Sequence, residues 1–150
     1  MGDAHEADRR MTATVVLPSI HAPTTADCLA SMTRVPDGTE VVVVLNTPGG
    51  DRRGTHGGNL GVAGSWNAGM AQMYAHGHDW LVVLSAAVRF GRNGGMDFLL
   101  ALDDPCRDYP HGIRVCEAAG GLGWHLIAFH REVCDRVGRF DENFWPAYYE

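Results

Sequence analysis

Asn59-Leu60-Gly61-Val62-Ala63-Gly64-Ser65-Trp66-Asn67-Ala68-Gly69 opens the stretch that decides the fold, and Asp79-Trp80-Leu81-Val82-Val83-Leu84-Ser85-Ala86-Ala87-Val88 closes it. Small residues crowd its start, as in a loop or helix N-terminus where backbone N–H groups approach an anion closely. From Trp66, the residues Met70, Met73 and Tyr74 recur at helical spacing and read as core packing. His76-Gly77-His78 closes that helix, and two His flanking a Gly read as a C-cap in preference to a metal site. Trp80 to Leu84 is then an uninterrupted apolar strand. A small-residue helix start feeding a buried strand outlines a nucleotide-handling α/β unit.

Upstream, Thr12 to Leu17 is β-branched and apolar, a short strand covered on both faces that Pro18 is expected to stop. Thr24 or Thr25 is placed to cap a helix whose apolar face is Ala26, Leu29, Ala30 and Met32. Glu40-Val41-Val42-Val43-Val44-Leu45 is the second strand, and its continuous hydrophobicity places it centrally in a parallel sheet. A strand, a helix and a strand in this order imply a right-handed βαβ unit. Arg52 and Arg53, in the loop that follows, read as solvated charges. Downstream, Met96 to Leu102 reads as a short apolar helix, Asp103-Asp104-Pro105 as a turn, Ile113 to Cys116 as a strand and Ala118 to Gly123 as flexible. The segment Gly123 to Trp145 reads as a strand, a helix from Arg131 to Val137 ended by Gly138, and an acidic-aromatic loop.

With 45% hydrophobic and 20% charged residues, the 150-residue chain belongs with globular rather than disordered proteins, and its length suits one domain. A net charge of −6 gives no electrostatic reason to expect nucleic acid or an anionic membrane as partner. All 12 basic residues are Arg, which excludes a Walker A phosphate loop and Schiff-base lysine chemistry. Cys28, Cys106, Cys116 and Cys134 show no C-x-x-C spacing and read as reduced, partly buried thiols of a cytoplasmic protein. No apolar run approaches the ~20 residues of a membrane span, and the polar start lacks a secretion signal. Residues 1–11 are expected to be a disordered tail and 12–150 the folded domain.

Two motifs carry a resemblance. Asn59-Leu60-Gly61-x-Ala63-Gly64-x-x-Asn67-x-Gly69 before a hydrophobic strand, and Arg131-Glu132-Val133 through Val137-Gly138-Arg139-Phe140-Asp141-Glu142, are similar to the nucleotide-sugar half of a family 2 glycosyltransferase. Together they cover most of the chain from Thr14 onward. The resemblance implies the GT-A fold, an α/β, mostly parallel sheet flanked by helices with its ligand at the carboxyl ends of the strands. It implies inverting transfer of a sugar from a nucleotide-sugar donor to a glycan or other hydroxyl acceptor. Ser19, His21 and Asn46 inherit the neighbourhood of base and ribose; Asn59, Gly61, Gly64, Asn67 and Ser85 that of the diphosphate and sugar; Asp141, Glu142 and Glu150 the acceptor side, as candidate catalytic residues. Plainer readings stand beside these: His21 as a solvated loop histidine, Asn46 as a turn cap, Asp141 and Glu142 as turn formers.

The family's cofactor is a divalent cation, Mn or Mg, held by an Asp-x-Asp-type motif at the third strand's end. Here that place reads Ser85-Ala86-Ala87, and neither alanine ligates a metal. An engineered knockout, a non-catalytic nucleotide-sugar-binding domain, and a metal-independent enzyme using Arg89 or Arg92 as counter-charge all fit that substitution. The family's last motif is cut at Glu150, which suggests a fragment. A dinucleotide-binding oxidoreductase is a further reading, weakened because the GxGxxG fingerprint is absent and the Gly-rich run follows the second strand.

Overall fold

A computed structural model describes residues 11–50, 58–91, 96–103, 112–115 and 125–143. Its first strand, β1, spans Ala13–Ser19 and so runs through Pro18. The proline is tolerated because the neighbour on one side pairs only with Ala13 to Val16, leaving its missing N–H without a required partner there. Helix α1 (Ala22–Ser31) begins earlier than either threonine, with His21 as N-cap and a proline in its first turn, where the fixed φ suits a helix start. Its buried residues are Thr25 and Cys28, while Leu29 faces solvent, so the expected Ala26-Leu29-Ala30 face is not the packed one.

Strand β2 (Thr39–Leu45) follows, then α2 (Gly61–His76) and β3 (Trp80–Leu84). After them come α3 (Met96–Leu100), a 3-10 turn (Ala101–Asp103), β4 (Ile113–Val115), β5 (Leu126–His130) and α4 (Arg131–Val137). The sheet order is β2-β1-β3-β5-β4. β1 is parallel to both β2 and β3, whereas β5 is antiparallel to β3 and to β4. The result is a mixed, mostly parallel, Rossmann-like α/β sheet flanked by helices. β2 is its edge, not its centre: a continuous apolar run requires cover on both faces, which an edge strand also has, and does not require a strand on both sides.

The alternation of β1 sorts the core into two layers. Ala13, Val15 and Leu17 pack with Cys28, Trp80, Val82, Leu84, Leu99 and Leu102 on the α1 and α3 face. Val16 packs with Met70, Met73, Leu81, Val83, Ile127 and Cys134 on the α2 and α4 face, with Trp66 alongside, so the Met70-Met73 stripe is core. Met11 is buried with the first layer. Gly69 sets how closely α2 lies on β1, because a Cβ there would fall 2.4 Å from the Cβ of Val16. Among the described residues no helix is long and apolar enough to cross a membrane. The readings of residues 1–10, Arg52, Arg53, Arg92, Asp104-Pro105, Ala118 to Gly123 and Glu150 fall outside the described residues.

Candidate functional site

The parallel strands give the sheet two rims. At the carboxyl rim, β1 ends at Ser19, β2 at Leu45 and β3 at Leu84, and α2 begins. The chain leaves β1 toward β2 through α1 on one face and leaves β2 toward β3 through α2 on the other. The ends of β1 and β3 therefore flank the point where strand order reverses, the crevice in which open α/β sheets take their ligands.

Many of the polar residues at this rim are engaged with one another. Ser19 is buried, its Oγ 2.7 Å from Thr25 Oγ1. Asn46 joins β2 to α2: its Oδ1 accepts from Leu60 N–H at 2.7 Å, and its Nδ2 donates to Ser65 Oγ at 3.0 Å. Ser65 Oγ in turn donates to the Gly61 carbonyl at 2.6 Å. Asn59, also buried, accepts from Gly61 N–H at 2.9 Å, and Gly61 takes φ +67°, where glycine is unstrained. His21 is exposed, with Nδ1 2.7 Å from Thr24 Oγ1. Beyond β3, Ser85 Oγ accepts from Ala87 N–H at 3.3 Å and the Ser85 carbonyl accepts from Val88 N–H at 3.0 Å, closing a turn. Arg89 braces that turn, donating to the carbonyls of Ala86 and Val88 at 2.7 and 2.9 Å and to Asp27 at 3.3 Å.

Asn67 and the acidic turn meet. Asn67 is buried on α2 and its Nδ2 donates to Glu142 Oε1 at 2.7 Å and to the Phe140 carbonyl at 3.0 Å. A Cβ at Gly64 would lie 3.8 Å from Glu142 Oε2, so the turn rests on the small-residue face of the helix. Glu142 also takes an ion pair from Arg139 at 3.2 Å, while Asp141 is exposed and its Oδ1 accepts from Asn143 N–H at 2.9 Å. Packing fixes the turn further: Phe140 stands edge-on to Trp66 and to Phe129, at 5.0 and 5.6 Å between ring centres.

The amino rim carries a different chemistry. Glu40 at the start of β2, His76 in the last turn of α2 and His78 just before β3 each offer one ligand atom, all within 4.8 Å of one another. Gly77 between the two histidines is left-handed (φ +70°, ψ +25°) and caps the helix, its N–H reaching the carbonyls of Met73 and Tyr74. His76 Nδ1 lies 2.6 Å from Glu40 Oε2, and His78 Nδ1 lies 2.8 Å from the hydroxyl of fully buried Thr14. The C-cap is legible in the sequence and the cluster is not. His-x-His was its visible signal, and the third member comes from a strand 36 residues away.

Among the described residues this is the group of His, Cys, Asp or Glu that could hold a metal. It corrects the resemblance: the residues able to ligate are Glu40, His76 and His78, not positions 86 and 87. The reading of the chain as a family 2 glycosyltransferase with an erased Ser85-Ala86-Ala87 metal motif is withdrawn. The two rims are also far apart, since Thr14 and Ser19 are separated along β1 by about 16 Å at a strand rise of ~3.3 Å per residue. A cation at the amino rim cannot touch a ligand in the crevice. No family model, no curated protein and no solved structure matches the chain.

Proposed function

We infer that the carboxyl rim binds the nucleotide of a nucleotide sugar and that the chain passes the sugar to an acceptor hydroxyl. The observation that supports this reading is the strand order, which puts the reversal point between β1 and β3 and brings the exposed His21 and the Ser85 turn to its mouth. His21 is the side chain best suited to the base or ribose, because it is exposed and its ring can both donate and accept. Ser19, Asn46, Asn59, Gly61 and Gly64 build the rim beneath it, and Asn67 positions the turn at Asp141.

In the transfer step, a carboxylate takes the acceptor proton as its oxygen attacks the anomeric carbon. The bond from that carbon to the diphosphate breaks, and the nucleoside diphosphate leaves with the electron pair. Asp141 is the carboxylate assigned to this role, since Glu142 is bound to Asn67 and Arg139. Ser85-Ala86-Ala87 offers no carboxylate for Mn or Mg at the end of β3, and no metal step is derived there.

Calorimetric titration of the chain with UDP-sugars, GDP-sugars and NADH tests the reading. Expected is saturable binding of a nucleotide sugar that weakens roughly tenfold in His21→Ala, the loss of about one hydrogen bond to a polar ligand. Release of nucleoside diphosphate in the presence of acceptor separates transfer from binding alone. Binding of NADH with no response to any nucleotide sugar would replace this reading with a dinucleotide oxidoreductase.

A further inference from the structure

We propose that Glu40, His76 and His78 form a binding site for a zinc-class divalent cation, a clasp that ties the edge strand β2 to the end of α2. The inference stands apart from the nucleotide reading, because it uses no residue of the carboxyl rim. Two imidazoles and one carboxylate are the donor set that borderline transition metals prefer, whereas Mg²⁺ and Ca²⁺ select all-oxygen sites. The three ligand atoms already lie within 4.8 Å of one another. Two ligands of one zinc ion sit about 3.3 Å apart for bonds of ~2.0 Å, so closing the site takes only side-chain rotation. Glu40 and His76 have that freedom, with side chains 38% and 47% exposed.

A simple Glu40–His76 ion pair would account for two of the three residues and leave His78 without a part. His78 is instead oriented from outside the cluster. The hydroxyl of Thr14, buried in β1, lies 2.8 Å from its Nδ1. With that hydroxyl accepting from Nδ1–H, Nε2 carries the lone pair, which is how metal-binding histidines are commonly fixed. The left-handed Gly77 turns the chain so that the two rings lie 5.6 Å apart at 55°. Three protein ligands leave the fourth tetrahedral position to water.

The test uses the full chain, stripped with a chelator and titrated with Zn²⁺ alone by calorimetry and with Co²⁺ by visible absorption. Expected are one ion per chain at this site, tetrahedral Co²⁺ bands, a melting temperature that rises with Zn²⁺ concentration, and no response to Mg²⁺. His76→Ala, His78→Ala and Glu40→Gln each abolish the Co²⁺ bands. Thr14→Val keeps all three ligands and lowers affinity roughly tenfold, the usual effect of removing an outer hydrogen-bond partner. Because Glu40 and His76 are surface residues, their variants keep the native circular dichroism, so a lost signal reports the site and not the fold. Bands that survive in the His76→Ala and His78→Ala chains, or a wild-type chain that binds neither ion, overturn the proposal.

Discussion

Asn67 and Phe140 are joined twice: Asn67 Oδ1 accepts from Phe140 N–H at 2.9 Å while Asn67 Nδ2 donates to the Phe140 carbonyl at 3.0 Å. A side-chain amide here replaces the strand that a backbone pair would need. It holds a turn 73 residues away against α2. Replacing it with Ala leaves the half-buried Phe140 N–H and carbonyl without this partner, a loss of about 1–2 kcal/mol. Asn67→Asp keeps the acceptor but sets a second carboxylate beside Glu142, and is expected to cost more. Urea unfolding measures the loss, and amide exchange at Phe140 localises it; unchanged Phe140 protection in Asn67→Ala would show that the turn is held by its rings alone.

Gly69→Ala separates helix propensity from packing by its sign. In an exposed helix that change stabilises by about 1 kcal/mol. At Gly69 the new Cβ would sit 2.4 Å from Val16 Cβ and 2.8 Å from both of its γ-carbons. Overpacking of this kind destabilises by about 1–3 kcal/mol, so the melting temperature is expected to fall. A rise would mean that α2 lifts from β1 without cost.

Asn46→Ala removes the acceptor of Leu60 N–H and the donor to Ser65 together. The loss resembles that of a helix N-cap, about 1–2 kcal/mol. Asn46→Asp retains the acceptor and is expected to recover part of it. Exchange of the Leu60 amide should speed up in the Ala variant and much less in the Asp variant, while the C-terminal turn of α2 stays protected.

Alkaline pH should weaken the fold through two buried thiols and the half-buried Tyr74 hydroxyl. Burial, and after it the Asp135 carboxylate, push the Cys134 thiol up to about 11. Burial raises the Cys28 thiol too, against the opposing charge of Arg89. Burial and the hydrogen bond to Asp135 push the Tyr74 hydroxyl up to about 12. Unfolding returns the thiols to an ordinary value of about 8.5. Below that pH both states are protonated and these groups contribute no slope. Between about 9 and 11 the folded chain holds more protons, so stability falls as pH rises. Denaturant midpoints at pH 8, 9.5 and 11 give the slope, with Cys106 and Cys116 replaced by Ser; in that chain both remaining thiols should resist alkylation at pH 8 until it is unfolded.

What the sequence determined by itself is what local periodicity and end signals specify. The apolar runs in β1, β3 and β5, the Met70-Met73 stripe, the Gly77 cap and the helix from Arg131 to Val137 all follow from spacings of two or three to four residues and from glycines placed at ends. The α/β class follows from their order. Which strand is the edge was left to the tertiary structure, because Val41 to Leu45 reads the same in either place. So was the packed face of α1, where Thr25 and Cys28 are buried and the more apolar Leu29 is exposed. Above all, the rim asparagines and serines were legible as polar residues at the ends of strands and the start of a helix, but not as partners of one another. Nor was Glu40 legible as a neighbour of His76 and His78. Proximity between residues far apart in the chain depends on sheet order and register, and no local pattern encodes which strand end will face which helix end.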